Sequence, residues 1–229
     1  MTTTAHYSIH HQLVALPHLT PGKRQRHIKG VLLMMHQGAG LLQLGRHYYP
    51  LATHEAAFLP ADTLFAWHGF AHSRLSRVEF SPRLAQPSIA GRLTPSPLLA
   101  AIVARLADWT GEQDWQGAHG RLCRILHDEL PQQTILPVDS QPPLHQLITA
   151  NPASFALAPE QEPEFRRRFD CDADNIRRQC ALLLVLRDLA KSPSLDALVQ
   201  AYGFASVPQF EQYCRHWLGS PCHRSGKNG

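Results

Sequence analysis

Residues 192–224 read SPSLDALVQAYGFASVPQFEQYCRHWLGSPCHR, and this stretch decides how the rest of the chain is read. Leu195, Leu198, Val199 and Tyr202 recur at i, i+3, i+4 and i+7, one apolar stripe at helical period. Gly203 follows with the permissive backbone that a sharp corner needs. Ser206 is placed to cap a second helix, and Gln209 three residues on completes an S-x-x-Q capping box. Pro208 falls in the first turn, where a missing N–H costs little. Phe210, Tyr213, Cys214 and Trp217 form the second buried stripe, and Gly219 followed by Pro221 stops the helix. Two short helices at a glycine corner fit either an αα-hairpin that packs for stability or a helix-turn-helix.

The residue types separate the two. The run L-x-x-L-x-x-x-x-G-F-x-S-x-x-x-F, followed by G-S-P, resembles the second helix-turn-helix of AraC/XylS-type transcription regulators. The matched positions are Leu195, Leu198, Gly203, Phe204, Ser206, Phe210, Gly219 and Pro221. They fix a turn, a cap and a terminator at set distances. One departure is Cys214, a smaller core residue where the family places a second aromatic. The resemblance in this motif covers about the last fifth of the chain.

Composition bounds what precedes it. The 229 residues are 44% hydrophobic, enough for one large or two small domains with real cores. No apolar run approaches the roughly 20 residues of a membrane span. The opening MTTTAHYSIHHQL lacks the basic-then-apolar order of a signal peptide. Five cysteines without a C-x-x-C pair point to a reducing, cytoplasmic setting and to small buried hydrophobes, not a disulfide scaffold. The net charge of +4 is unevenly spread: residues 1–96 hold nine Lys and Arg against three Asp and Glu, and residues 131–229 hold ten against ten. A DNA-binding domain ordinarily concentrates positive charge, because phosphate neutralisation supplies much of the affinity. The C-terminal region is instead neutral overall, with local basic clusters at Arg166, Arg167, Arg168 and at Arg177, Arg178.

The N-terminal region reads as β-structure. GVLLMMH from Gly30, AGLLQLG from Ala39, EAAFLP from Glu55, TLFAWHG from Thr63 and SRLSRVEF from Ser73 are short apolar or alternating runs between Gly, Pro and polar breaks. Such spacing indicates a small barrel or sandwich. Gln37-Gly-Ala-Gly, Gly45, Tyr49, Leu51, Pro60 and Phe80-Ser-Pro82 resemble the sensory cupin barrel of the same regulator family. Ten of the fifteen histidines lie in residues 1–96, which invites a metal site. Metal-binding cupins cluster ligands such as H-x-H on one strand, with a later His. Here His27 has no partner two residues away, Leu64-Phe65 stands where the later ligand would fall, and His10 and His11 point apart on a strand. The expectation is a barrel without metal or other cofactor.

Helices follow. PLLAAIVARLADW after Ser96 has a serine cap and a proline at the first helical position, with Leu98, Ile102 and Leu106 on one face, widened by Leu99 and Val103. WQGAHGRLCRILHDEL from Trp115 carries Leu122, Ile125, Leu126 and Leu130. These helices either couple barrel to DNA-binding units and form dimer contacts, as the resemblance implies, or simply cover the barrel. Residues 131–143, with four prolines, read as a linker. The run from Asn175 to Lys191 resembles the helix that joins the family's two helix-turn-helix units. The first unit should precede it, yet only Phe165-Arg-Arg-Arg-Phe169 resembles the end of its recognition helix. Pro159 and Pro163 forbid a continuous helix, and Glu160, Glu162 and Glu164 put negative charge where a duplex would approach.

The resemblance therefore implies a two-domain α+β chain: a cupin-like β-barrel over 1–92, a helical coupling segment over 93–143, and an all-α DNA-binding domain over 144–229. The last divides into a degenerate first helix-turn-helix (144–174), a connecting helix (175–191) and a second helix-turn-helix (192–224). No G-x-S-x-G, Walker loop, H-E-x-x-H or strand-borne G-x-G-x-x-G is present, so no enzymatic activity is expected. The candidate readers of double-stranded DNA are Ser206, Val207, Gln209, Glu211, Gln212 and Arg215, with Arg166, Arg167, Arg168, Arg177 and Arg178 in support. Gln pairs bidentately with adenine, and Glu accepts from cytosine N4. A homodimer and a small-molecule effector are implied partners. A regulator that pairs with another regulator without reading DNA, and a metal-free cupin enzyme, are the alternatives.

Overall fold

A computed structural model describes residues 8–137, 141–189, 191 and 194–222. In chain order the strands are β1 (Ile9–Leu16), β2 (Gln25–Arg26), β3 (Gly30–Gln37), β4 (Gly40–Leu44), β5 (His47–Leu51), β6 (Ala56–Leu59), β7 (Leu64–Gly69), β8 (Ser73–Phe80) and β9 (Gly91–Leu93). Helices α1 (Pro97–Ala107) and α2 (Ala118–Glu129), a 3-10 turn and β10 (Leu136–Pro137) follow. The C-terminal half is α3 (Pro143–Ala150), α4 (Glu162–Phe169), α5 (Ala173–Asp188), α6 (Leu195–Ala201) and α7 (Val207–Leu218).

The strands form two antiparallel sheets, in the orders β1-β8-β3-β6-β9-β10 and β2-β7-β4-β5. Their inner faces meet in one core, where Val31, Leu33, Met35, Ala57, Leu59 and Leu75 of the larger sheet pack against Leu42, Leu51 and Phe65 of the smaller. The opposite face of the larger sheet is covered by helices: Leu32, Met34, Phe58, Val78 and Phe80 pack on Leu99, Ile102, Val103, Leu106, Cys123 and Leu126 of α1 and α2. Side chains alternate across a strand, so β3 and β6 are buried on both faces, and that is why they read as unbroken apolar runs. All five strands expected from the sequence are present. Strands β1, β2, β5, β9 and β10 join them.

Ser96 caps α1 as expected, its hydroxyl accepting from the Leu99 N–H at 3.1 Å. Most of both expected stripes is buried, namely Leu99, Ile102, Val103 and Leu106 of α1 and Leu126 with Leu130 of the other, but each is turned slightly: Leu98 is 51% exposed and Ile125 45% exposed, while Cys123 takes a core position. Five apolar residues in α1 allow two rotations, and the sheet beneath selects the one that buries Leu99 with Val103. The proline-rich 131–143 stretch is not a free linker. Leu136 and Pro137 pair with Arg92 and Gly91 at the sheet edge, and Pro143 already begins α3; residues 138–140 lie outside the described residues.

The region expected to be a degenerate first helix-turn-helix does hold two helices. Pro143 at the first position of α3 and Pro163 in the first turn of α4 are both tolerated there. Eleven residues, 151–161, separate them. Asp170, at φ 55°, ends α4, and the Asp172 carboxylate caps α5 by accepting from the Asn175 N–H at 2.9 Å. Helix α5 is the central post of this half, with Ile176 and every residue from Gln179 to Val185 buried.

One expectation is overturned outright. Cys214 and Cys222 are joined by a disulfide, while Cys123, Cys171 and Cys180 are free. Gly219, at φ 70°, ends α7 in the left-handed region and turns the chain so that Cys222 returns beside the helix.

Candidate nucleic-acid interface and the contacts that hold it

Helices α6 and α7 meet at a tight glycine corner. Ser194 caps α6, Gly203 takes the corner at φ 84°, and the Ser206 hydroxyl accepts from the Gln209 N–H at 3.4 Å. Phe210, Cys214 and Trp217 are buried, and Phe204 stands edge-on to Phe210 with ring centres 5.4 Å apart. The aromatics thus set the angle at which α7 leaves the corner.

The expected readers on α7 fall into two groups. Gln212 and Arg215 are exposed. Ser206 and Gln209 instead serve the cap, since Gln209 Oε1 accepts from the Ala205 N–H at 2.7 Å. Val207 is half-buried against the helical core, and Glu211 is half-buried. Gln209 also meets Arg177 and Arg178 around one cavity of about 220 Å³, lined further by Tyr202, Phe204 and Tyr213. Both arginines pair with Asp174 one turn back, and the Arg178 guanidinium lies over the Tyr213 ring, 4.8 Å from its centre. The Asp174 carboxyl is held below its usual range: burial would raise it, and the two arginines outweigh that. These two cations are thereby partly neutralised and oriented by the fold.

Helix α4 splits its three arginines. Arg166 and Arg167 are exposed. Arg168 points inward, a correction to its expected place among the DNA-facing residues. Its Nη2 donates to Glu55 Oε1 at 2.6 Å and its Nε at 3.1 Å. The same carboxylate accepts from the Ala52 N–H at 3.0 Å, and its Oε2 lies 2.8 Å from His145 Nε2 on α3. Arg92 of β9 approaches Oε1 at 3.6 Å. His145 is fully buried, and Glu55 is 7% exposed. Burial alone would raise the Glu55 carboxyl, but the His145 hydrogen bond and charge, the Ala52 N–H and Arg168 hold it down at about 2.

Sequence reasoning missed this cluster. Its signal was one carboxylate at the head of the apolar run EAAFLP, a charge entering a strand buried on both faces. Its partners stand 90 and 113 residues away, where no local pattern reaches.

Further contacts tie the sheets to the helices. The Leu19 N–H donates to the Trp217 carbonyl at 2.7 Å, the Ala71 N–H to Gln179 Oε1 at 2.8 Å, and the Thr53 N–H to the Arg168 carbonyl at 3.2 Å. Leu19, Ala39, Leu41, Ala52 and Phe70 belong to the same apolar cluster as the helical core.

His27, weighed as a metal ligand, stacks on Phe65 with ring centres 4.2 Å apart and lies 3.3 Å from Arg77 Nη2. Among the described residues, no group of three or more His, Cys, Asp or Glu side chains is placed to hold a metal ion. No described helix is long and apolar enough to cross a membrane.

No protein-family model matches the chain. Among solved structures, ToxT from Vibrio cholerae matches over 94% of this chain and 97% of its own, with a TM-score of 0.40 and 7% identity. ToxT bound to an unsaturated fatty acid matches over 93% of each chain, with a TM-score of 0.38 and 8% identity. In sequence, the HTH-type transcriptional regulator NimR of Escherichia coli is 22% identical over 213 residues, 85% of this chain and 78% of that protein. Over most of its length, and well beyond the motif at its C-terminal end, the chain is thus similar to a helix-turn-helix transcription regulator.

Proposed function

We propose that this chain is a cytoplasmic, AraC-type transcription regulator without enzymatic activity, which binds double-stranded DNA as a homodimer through α7. The observation that carries the reading is the capped helix-turn-helix α6–α7, with a buried aromatic face and Gln212 and Arg215 free on the other. The likeness to a helix-turn-helix regulator over most of the chain supports it. The two sheets are read as a cupin-like sensory domain for a small molecule or a partner, with α1 and α2 supplying the dimer contacts. Exposed Leu98 and Ile125 on those helices suit such a contact.

With Ser206 and Gln209 engaged in the cap and Arg168 turned inward, one head offers few contacts. Each good base pair readout contributes on the order of 1–3 kcal/mol, and each phosphate contact steepens the salt slope by about 0.9. One subunit falls short of tight binding on these terms, which is the reason for two. Electrophoretic shifts across a salt series, with light scattering, test the proposal. Gln212→Ala should relax sequence preference at unchanged salt slope. Arg215→Ala should weaken all sequences alike and flatten the slope by about 0.9. Tight, specific binding by a monomer would refute the dimer. Absence of binding to any sequence would favour the second reading, a regulator that acts by pairing with another regulator, for which the engaged Gln209 and Arg168 already speak.

A further inference from the structure

Glu55 sits where two halves of the chain meet, and the charges around it are arranged in an unusual way. On its own side Arg92 of β9 reaches Oε1 at 3.6 Å; from the helical side Arg168 of α4 reaches the same oxygen at 2.6 Å. Two guanidinium groups from different domains therefore share one carboxylate oxygen, and His145 of α3 takes the other at 2.8 Å. Without the carboxylate, the two arginines would repel across the junction in a site largely closed to water, where charges act strongly on one another. Glu55 thus decides the sign of the force between β9 and α4.

We propose that Glu55 is a latch that holds helices α3 and α4 in a restrained position against the sheets, and that its release frees α4 for DNA. Three features give the latch its reach. The Thr53 N–H donates to the Arg168 carbonyl, so backbone and side chain of one α4 residue are both held by the turn before β6. Glu55 directly precedes β6, which is buried on both faces, and Arg92 lies on the strand paired with β6. Any repacking of the sheet core therefore displaces the carboxylate and one of its arginines together. In the latched state Arg168 neutralises Glu55 and is unavailable to phosphate, although Arg166 and Arg167 beside it are exposed. The DNA part of this proposal rests on the regulator reading above; the latch itself does not.

The test uses the full chain as Glu55→Gln and, should that variant fold poorly, Arg168→Gln, which leaves Glu55 its Arg92 and His145 partners. Hydrogen exchange by mass spectrometry should accelerate at least about tenfold over 143–150 and 162–169 in either variant, while 207–218 is unaffected. On duplex DNA, Glu55→Gln should steepen the salt slope by about 0.9, and the double variant Glu55→Gln/Arg168→Gln should restore the wild-type slope. Unchanged exchange over α3 and α4 overturns the latch. Faster exchange with an unchanged slope overturns the release of Arg168. Faster exchange with no DNA binding by any form leaves the latch standing and overturns the regulator reading instead.

Discussion

At the scale of single residues, the sheets bury imidazoles that only the neutral form satisfies. His11 is 5% exposed, and its Nε2 lies 2.8 Å from the Ser76 hydroxyl; His36 Nε2 lies 2.7 Å from the same oxygen. One hydroxyl serves two rings, donating its proton to one nitrogen and accepting an N–H from the other. Burial first, then neighbouring His119, His36 and His10, pushes the His11 imidazole down to about 4. Burial does the same to His68, also to about 4. The unfolded chain takes up these protons near the ordinary value of 6.5, and the folded chain does not. Stability from each is complete above 6.5 and falls as pH drops toward 4, by about 1.4 kcal/mol per pH unit within that window. Glu55 adds a second acid-labile component, present above about 4.5 and lost as pH falls toward 2. Denaturant titrations at several pH values should show this decline, and His11→Gln should make it shallower between 6.5 and 4. An unaltered slope in that variant would place the lost protons elsewhere.

At the scale of elements, what was legible in the sequence is what is locally determined. Ser96-Pro97 and Ser206 mark helix starts because cap and first turn lie within three residues of each other. Among the five expected strands, β3 and β6 stood out as unbroken apolar runs because both their faces are covered, and β8 stood out by its alternation. Rotation of α1 and α2 was not legible, since a broad apolar stripe fits two orientations and the sheet chooses. Nor was the pairing of Cys214 with Cys222, which depends on the left-handed Gly219 returning the chain along α7. It also conflicts with the reducing setting proposed for the chain, where disulfides are rare and, when present, mostly transient or redox-sensing. Alkylation under denaturing conditions without reductant should modify three of the five cysteines. Reductant should expose the other two. Modification of all five without reductant would show that α7 carries a free buried thiol at Cys214.

At the scale of the whole molecule, the two halves do not read as beads on a string. The apolar cluster that contains Phe165, Phe169, Phe210 and Trp217 continues into Leu41 of β4 and into Leu19 and Phe70 of the loops beside the sheets. A fragment spanning 143–229 would carry α3 to α7, but with that face uncovered. It should aggregate or bind an apolar-surface dye that the full chain ignores. A monomeric fragment with a cooperative unfolding transition would show that the helical half closes its own core.

The shared cluster also bears on inheritance. Ala39 and Ala52 are small and fully enclosed at the seam between the halves, so an enlarged side chain at either one must be answered by a smaller one on the helical side. Sequence change there is expected to travel in pairs that bridge the two halves. A sensor half grafted from another regulator would bring its own seam with it and would meet these helices as a stranger, unless residues 19, 39, 41, 52 and 70 were transplanted to suit them.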